Sequence, residues 1–342
     1  MPISTIDTDA YSLKLRARAI DSERQRVLIT NFTGSVQAAD LSEPANCNGV
    51  GRIRHFRLAT SPGWPPNPLP LAPANRALGN APTADLRAQV FQNAACNWRC
   101  WYCFVDFTLL AADPKRAAML SAAELIDLYL AEPGRPAVID LTGGQPDLVP
   151  EWVPWMMREF RRRSLDSTIY LWSDDNLSND YLWRFLSDDD RETIADYPLY
   201  GKVGCFKGFN ATSFAYNTRA DAQLFDRQFE LMARLLTLGL DQYAYVTFTT
   251  PSADNLRSDM ARFVERLQQL DPNLPLRTVP LEIQLYSPVE RRHMAAVHEA
   301  IAHQQSAVEA WQAEIEQRFS SNERATAITE VPLRHRRRPN SW

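Results

Sequence analysis

Three of the five cysteines of this 342-residue chain fall within eight residues, in "NAACNWRCWYCFVDF", Asn93 to Phe107. Thiolates this close together bind zinc or iron–sulfur clusters. A structural zinc takes four closed ligands, commonly as two C-x2-C pairs. Only one such pair is present, Cys100 and Cys103, with Cys96 ahead of it; Cys47 and Cys205 stand alone. Histidines do not complete a set: His293, His298 and His303 are five apart, and that step turns about 140° on a helix, so they read as surface residues. Three thiolates on one loop suit a cubane held at three of its irons, with the fourth left for a non-protein ligand. An open position is what separates a reactive metal site from a structural one. The alternative is a zinc-binding structural or interaction protein with Cys47 or Cys205 as fourth ligand.

Such a loop needs a scaffold. From residue 86 onward, short apolar runs alternate with helical patterns. The runs are Ala88 to Ala95, Ala137 to Thr142, Thr168 to Trp172, Lys202 to Phe206, Tyr243 to Thr249 and Val279 to Tyr286. Helical spacing follows at Leu148, Trp152, Trp155, Met156 and Phe160, across about 220–238, and across about 258–270. Strand–helix alternation predicts parallel βαβ units, six of them, hence an α/β fold built as a partial (β/α)6 TIM-type barrel. A long last helix is expected from about Pro288 to Phe319, with Met294, Val297, Ile301, Val308, Trp311, Ile315 and Phe319 in one stripe. The division reads as an irregular N-terminal extension (1–85) packed on the barrel, the barrel (86–290), and the C-terminal helix with a basic tail (291–342). Prolines crowd "SPGWPPNPLPLAPA", residues 61–74, and exclude a long helix or central strand there; a wrapped arm anchored by Trp64 is expected.

The cysteine loop follows the first of these strands. After the second comes "LTGGQPDL", whose glycines allow a backbone to approach a ligand closely. Ligands of parallel α/β sheets bind at the carboxyl ends of the strands.

Cys96-x3-Cys100-x2-Cys103 resembles the cysteine motif of the radical S-adenosylmethionine (SAM) enzymes, and Tyr102 stands where that family has an aromatic near the SAM adenine. Thr142, Gly143, Gly144, Gln145 and Pro146 resemble the family's GGEP motif, which meets the SAM amino group, with Gln145 in place of Glu. The resemblance covers about residues 86–290. It implies a [4Fe-4S] cluster on Cys96, Cys100 and Cys103, and SAM as cofactor. It implies polar contacts to SAM from "LWSDDN", where Ser173 and Asp175 are favoured over Asp174 and Asn176; their alternative role is helix capping. Lys207, in "GCFKGFN", aligns with the lysine that glycyl-radical activating enzymes place on the SAM carboxylate, while Cys205 sits where those enzymes have Asp. Gln284 and Tyr286 are placed near the site by position alone. The implied activity is reductive SAM cleavage and hydrogen abstraction from an unidentified small-molecule substrate, fed by flavodoxin or ferredoxin. An activase that installs a glycyl radical on a partner enzyme is the rival within the family. No further cysteine-rich region is present to hold auxiliary clusters.

A hydrophobic fraction of 45% with 23% charged residues is that of an ordinary well-cored protein. No apolar run approaches the roughly 20 residues that span a bilayer, and the first residues lack a secretory pattern; a cytoplasmic location is expected. Net charge is −4, which gives no general case for nucleic acid, and "RHRRR" (Arg334 to Arg338) reads as a solvated tail. Arg52, Arg54, His55 and Arg57 are close together in the N-terminal segment. They bind an anionic substrate or form the polar face of an edge strand.

Overall fold

The computed structural model describes residues 5–285, 287–290, 292 and 296–335. Tyr286, His293, Met294 and Arg336 to Arg338 lie outside the described residues.

Among the described residues ten strands form two sheets. In chain order they are β1 (Ile20–Asp21), β2 (Arg26–Thr30), β3 (Gly51–Arg57), β4 (Asp85–Gln92), β5 (Ala117–Ser121), β6 (Val138–Thr142), β7 (Tyr170–Asp175), β8 (Tyr200–Phe206), β9 (Gln242–Thr247) and β10 (Thr278–Leu281). The large sheet runs β10-β9-β8-β7-β6-β4-β3. Its six strands from β4 to β10 are all parallel, and the sheet curls into the expected partial barrel. Strands buried on both faces read as near-continuous apolar runs, which is why all six were legible in the sequence. Helices Trp152–Arg162, Leu224–Thr237, Leu256–Leu270 and Ala296–Arg318 overlap the helical patterns.

The N-terminal extension is more regular than its prolines suggest. It opens with a helix, Thr8–Ala19, whose Asp7 cap accepts from the Ala10 N–H. Arg16 on that helix is buried in an ion pair with Glu151 and donates to the Leu148 carbonyl at 2.9 Å. β2 pairs antiparallel with β1 and β5 in the small sheet. β3 pairs antiparallel along its whole length with β4, so the extension supplies the seventh strand of the barrel sheet. The proline-rich arm does wrap: Trp64 is buried, and its indole N–H donates to the Pro280 carbonyl at 3.1 Å.

Strand alternation sorts the two faces of the large sheet. Phe206 packs on Phe229 and Phe263 of two outer helices, so its face is the helix-covered one. The opposite, concave face carries Arg52, Val90, Asp140 and Trp172 in register, then Asp174 beside Val203 and Cys205 beside Tyr245. Trp172 lies 5.8 Å from Tyr243 and 6.4 Å from Tyr170, an aromatic floor to the lumen.

Candidate active site

The cysteine loop leaves the end of β4 and is tied down by buried amide side chains and by one arginine. Asn97 donates to Ser12 Oγ at 2.9 Å and to Ser178 Oγ at 2.7 Å, and accepts from Asn176 at 3.0 Å. Asn176 also points its amide at Cys96 Sγ, 3.9 Å away. Fully buried Asn217 accepts from the Trp101 indole at 2.9 Å and donates to the carbonyls of Lys207 and Thr249 at 2.9 and 3.0 Å. It thereby joins the loop to the ends of β8 and β9. Gln228 accepts from the Lys207 N–H at 3.1 Å and donates to the Asn176 and Cys205 carbonyls. Arg292 closes the loop from the C-terminal side, donating to the Trp101, Cys103 and Val105 carbonyls with its guanidinium 3.7 Å from the Phe107 ring centroid.

The three thiols lie within electrostatic reach of one another. Burial pushes Cys100 up to about 12, against the pull of the Lys207 ammonium. Burial raises Cys103 too, with Cys96 adding to it and the Val105 N–H opposing. Lys207 sits among Cys205, Tyr102, Cys100 and Cys96; burial works against its charge, but these neighbours outweigh that and hold it above the ordinary lysine range. Tyr102 reaches from the loop to the end of β9, where its hydroxyl meets Thr247 Oγ1 at 3.0 Å, and its ring meets Trp101 edge-on at 5.5 Å.

The Gly143–Gly144 turn packs on this loop. Gly143 has φ +92°, the left-handed region. A Cβ on Gly144 would lie 2.3 Å from the Ala95 carbonyl oxygen and 2.4 Å from that of Asn93, both backbone. The Gln145 N–H donates to the Ala95 carbonyl at 2.7 Å, and Asn93 Nδ2 donates to the Gln145 carbonyl at 2.9 Å. Gly144→Ala is therefore expected to cost about 1–3 kcal/mol by overpacking and to shift the cysteine loop. A lowered thermal midpoint together with reduced iron uptake on reconstitution is the expected observation.

Gln145 turns inward. It is 1% exposed, its Nε2 donates to Asp175 Oδ1 at 2.7 Å, and its Oε1 accepts from the Asn176 N–H at 2.9 Å. Its amide thus supports the end of β7. A glutamate could not donate to Asp175, which gives the departure from Glu a local reason. Pro146 opens a short turn whose next residue, Asp147, pairs with Lys202 at 2.9 Å.

The structure separates the candidates in "LWSDDN" between the two faces of β7. Ser173 and Asp175 lie on the helix side of β7. Ser173 Oγ meets the Tyr200 hydroxyl at 2.7 Å, and Asp175 accepts from Gln145 and, at 2.8 Å, from the Leu177 N–H. The strand period of two places Asp174 in the lumen instead, where it accepts from Thr142 Oγ1 and, at 3.2 Å, from the Trp172 indole. Gln284 is exposed and beyond β10. Cys47 cannot complete a site at the loop: its thiol lies beside Glu132 and Tyr129. Cys205 does face the lumen near Lys207, and burial pushes it up to about 12. Among the described residues no set of three or more His, Cys, Asp or Glu side chains is arranged for a single metal ion. A surface cavity of about 470 Å³ lined by Tyr11, Lys14, Arg99 and Arg219 touches the cysteine loop only at Arg99 and includes none of the cysteines.

No protein-family model matches the chain, and no curated protein matches it. Among solved structures, Streptococcus suis SuiB bound to S-adenosylmethionine aligns at 12% identity over 65% of this chain and 46% of that one, with a TM-score of 0.44. A further structure of Streptococcus suis SuiB aligns at 13% over 68% and 47%, TM-score 0.45. SuiB bound to the precursor peptide SuiA aligns at 14% over 52% and 36%, TM-score 0.37. The matched part thus spans less than half of each SuiB chain.

Proposed function

We propose that this chain is a radical SAM enzyme that acts on a small molecule. One observation carries the reading: a glycine turn packs directly on a strand-end loop whose three cysteines lie within electrostatic reach of the Lys207 ammonium. The donor set fits a cluster with one open iron: three thiols, no fourth cysteine on the loop, and a cation to offset the thiolate charge.

Cys96, Cys100 and Cys103 would hold the [4Fe-4S] cluster. When bound, that group supplies the electron for reductive cleavage of SAM to methionine and a 5′-deoxyadenosyl radical, which takes hydrogen from substrate. The chain does the rest. Lys207 offers its charge to the SAM carboxylate. Carbonyls of Thr142, Gly143 and Gly144 at the end of β6 accept from the SAM ammonium. Tyr102 and Trp101 wall the site and exclude water. Asn176 and the Val105 N–H soften the charge on Cys96 and Cys103. Asp174, on the lumen side, is the polar contact that this strand end offers to SAM.

No described helix is long and apolar enough to cross a membrane. All five cysteines are free thiols, which suits a reducing compartment, the cytoplasm. Lys14, Arg99 and Arg219 around the outer cavity suit an acidic one-electron carrier such as flavodoxin or ferredoxin.

The test is anaerobic reconstitution with iron and sulfide, then SAM with dithionite, reading 5′-deoxyadenosine by mass spectrometry. Cluster formation with 5′-deoxyadenosine supports the reading. Stoichiometric zinc, no iron uptake and no product would sink it. Within that assay, Lys207→Met is expected to raise the KM for SAM about tenfold or more, the size of a lost charge-assisted hydrogen bond.

A further inference from the structure

The lumen holds two charges that the reading above leaves unused. Arg52 on β3 is 5% exposed and Asp140 on β6 is 0% exposed. Arg52 Nε and Nη2 have no hydrogen-bond partner, and neither has either carboxyl oxygen of Asp140. The nearest charge contact of Asp140 is Arg54 Nη1 at 3.6 Å, beyond hydrogen-bond reach. Buried charged groups without hydrogen bonds are costly, and each one needs an explanation.

Their position supplies one. Arg52 and Asp140 both register with Val90, one layer below Thr142 and Asp174 and level with the Trp172 floor. Phe104, the residue after Cys103, lays its ring 5.4 Å from the Arg52 guanidinium and 6.0 Å from that of Arg54. Arg52, and Arg54 beside Asp140, therefore lie against the residue that follows the last cysteine. His55 and Arg57, the other basic residues of this strand, are not part of it. His55 pairs with Glu43 at 2.7 Å, and Arg57 is exposed.

The free edge of Arg52, Nε with Nη2, is the planar fork that grips two oxygens of a carboxylate or phosphate. Burial, then Arg54, lowers Arg52 to about 10, which leaves it cationic near neutrality. Burial and Asp174 push Asp140 well above the usual carboxylate range, against the pull of Arg54 and Arg52. Either form of that carboxyl can accept from an N–H or O–H.

We propose that, given the radical SAM reading of the loop above it, the Arg52–Asp140 pair is the substrate-recognition subsite and takes a small molecule bearing an oxyanion for the Arg52 fork and an N–H or O–H donor for Asp140.

Calorimetric titration of the full chain tests this with four probes: acetate, glycine, inorganic phosphate and phosphoethanolamine. At least one oxyanion probe is expected to bind, with glycine above acetate or phosphoethanolamine above phosphate, because Asp140 rewards the added ammonium. The stronger series distinguishes a carboxylate ligand from a phosphate one. Arg52→Gln is expected to weaken binding about tenfold or more, Asp140→Asn to erase the preference for the ammonium-bearing probe, and exposed Arg57→Gln to change nothing. Should Arg52→Gln fail to fold, Arg52→Lys keeps the charge and loses the fork, and it too is expected to bind more weakly. No binding by any probe, or wild-type affinity in a folded Arg52 variant, would overturn the proposal. The titration needs neither cluster nor SAM. Formation of 5′-deoxyadenosine without probe binding removes the subsite alone; probe binding without 5′-deoxyadenosine removes the radical SAM reading alone.

Discussion

Cys100→Ala is expected to reduce 5′-deoxyadenosine formation to the level of a protein-free control and to leave iron well below the roughly four atoms per chain of a loaded cluster. Cys100 is the middle thiol of the three, and it belongs to both gaps of the motif. As a thiol it is hard to ionise, since burial pushes it up to about 12. A bound metal ion removes that obstacle by deprotonating the ligand outright, and Lys207 beside it stabilises the thiolate that results. Alanine removes the sulfur and leaves Lys207 in place without that anion. The informative control is Cys205→Ala. Cys205 also faces the lumen near Lys207, yet it is not a cluster ligand in this reading, so its variant should keep iron and keep product. If Cys205→Ala lost metal as completely as Cys100→Ala, a four-cysteine site would replace the three-cysteine one. Cys47→Ala separates the readings further: beside Glu132, away from the loop, it should leave metal content unchanged.

The sequence made the barrel readable where burial is strongest. "VIDLT" and "KVGCF" are buried along their length, and largely apolar runs survive errors of a residue or two at their ends. β3 was harder. "GRIRHFR" alternates charge with Ile53 and Phe56, which is also the pattern of a solvated edge strand, and only the pairing with β4 shows that Arg52 and Arg54 face the lumen. β5, "AAMLS", is alanine-rich and gives no strand signal. Strand ends exposed another limit. In "LWSDDN" the polar residues are consecutive, so composition cannot say which faces inward; a one-residue difference in phase exchanges Ser173 and Asp175 for Asp174. The cysteines were legible because their spacing alone narrows the chemistry. Asn97, Asn176, Asn217 and Gln228, which hold the loop in place, were not, since buried amides resemble ordinary loop residues until their partners are known.

Lys202→Met is expected to be the most destabilising of the substitutions considered, at about 3–5 kcal/mol, because it strips one partner from a buried ion pair. Lys202 Nζ lies 2.9 Å from Asp147 Oδ1, and both side chains are buried. Asp147 begins under strain of its own: burial, then neighbouring Asp175, raises its carboxyl to about 7 even with the ammonium in place. Its folded value thus lies above its unfolded one. The stability tied to its protonated form is fully present below the unfolded value and is lost as pH rises through about 7. In wild-type protein Lys202 offsets that loss; without it the folded carboxyl rises further. The penalty of Lys202→Met should therefore be largest above about pH 7 and shrink toward pH 5, where Asp147 is neutral in the folded variant. Urea denaturation at the two pH values measures it. Lys202→Met with Asp147→Leu should recover most of the loss, since an apolar pair of similar volume leaves no unpaired charge. Asp147 follows directly on the glycine turn that packs against the cysteine loop, so the single variant should also load iron poorly at high pH. A penalty independent of pH, with no recovery in the double variant, would assign the effect to lost packing and leave the ion pair with no part in holding the turn.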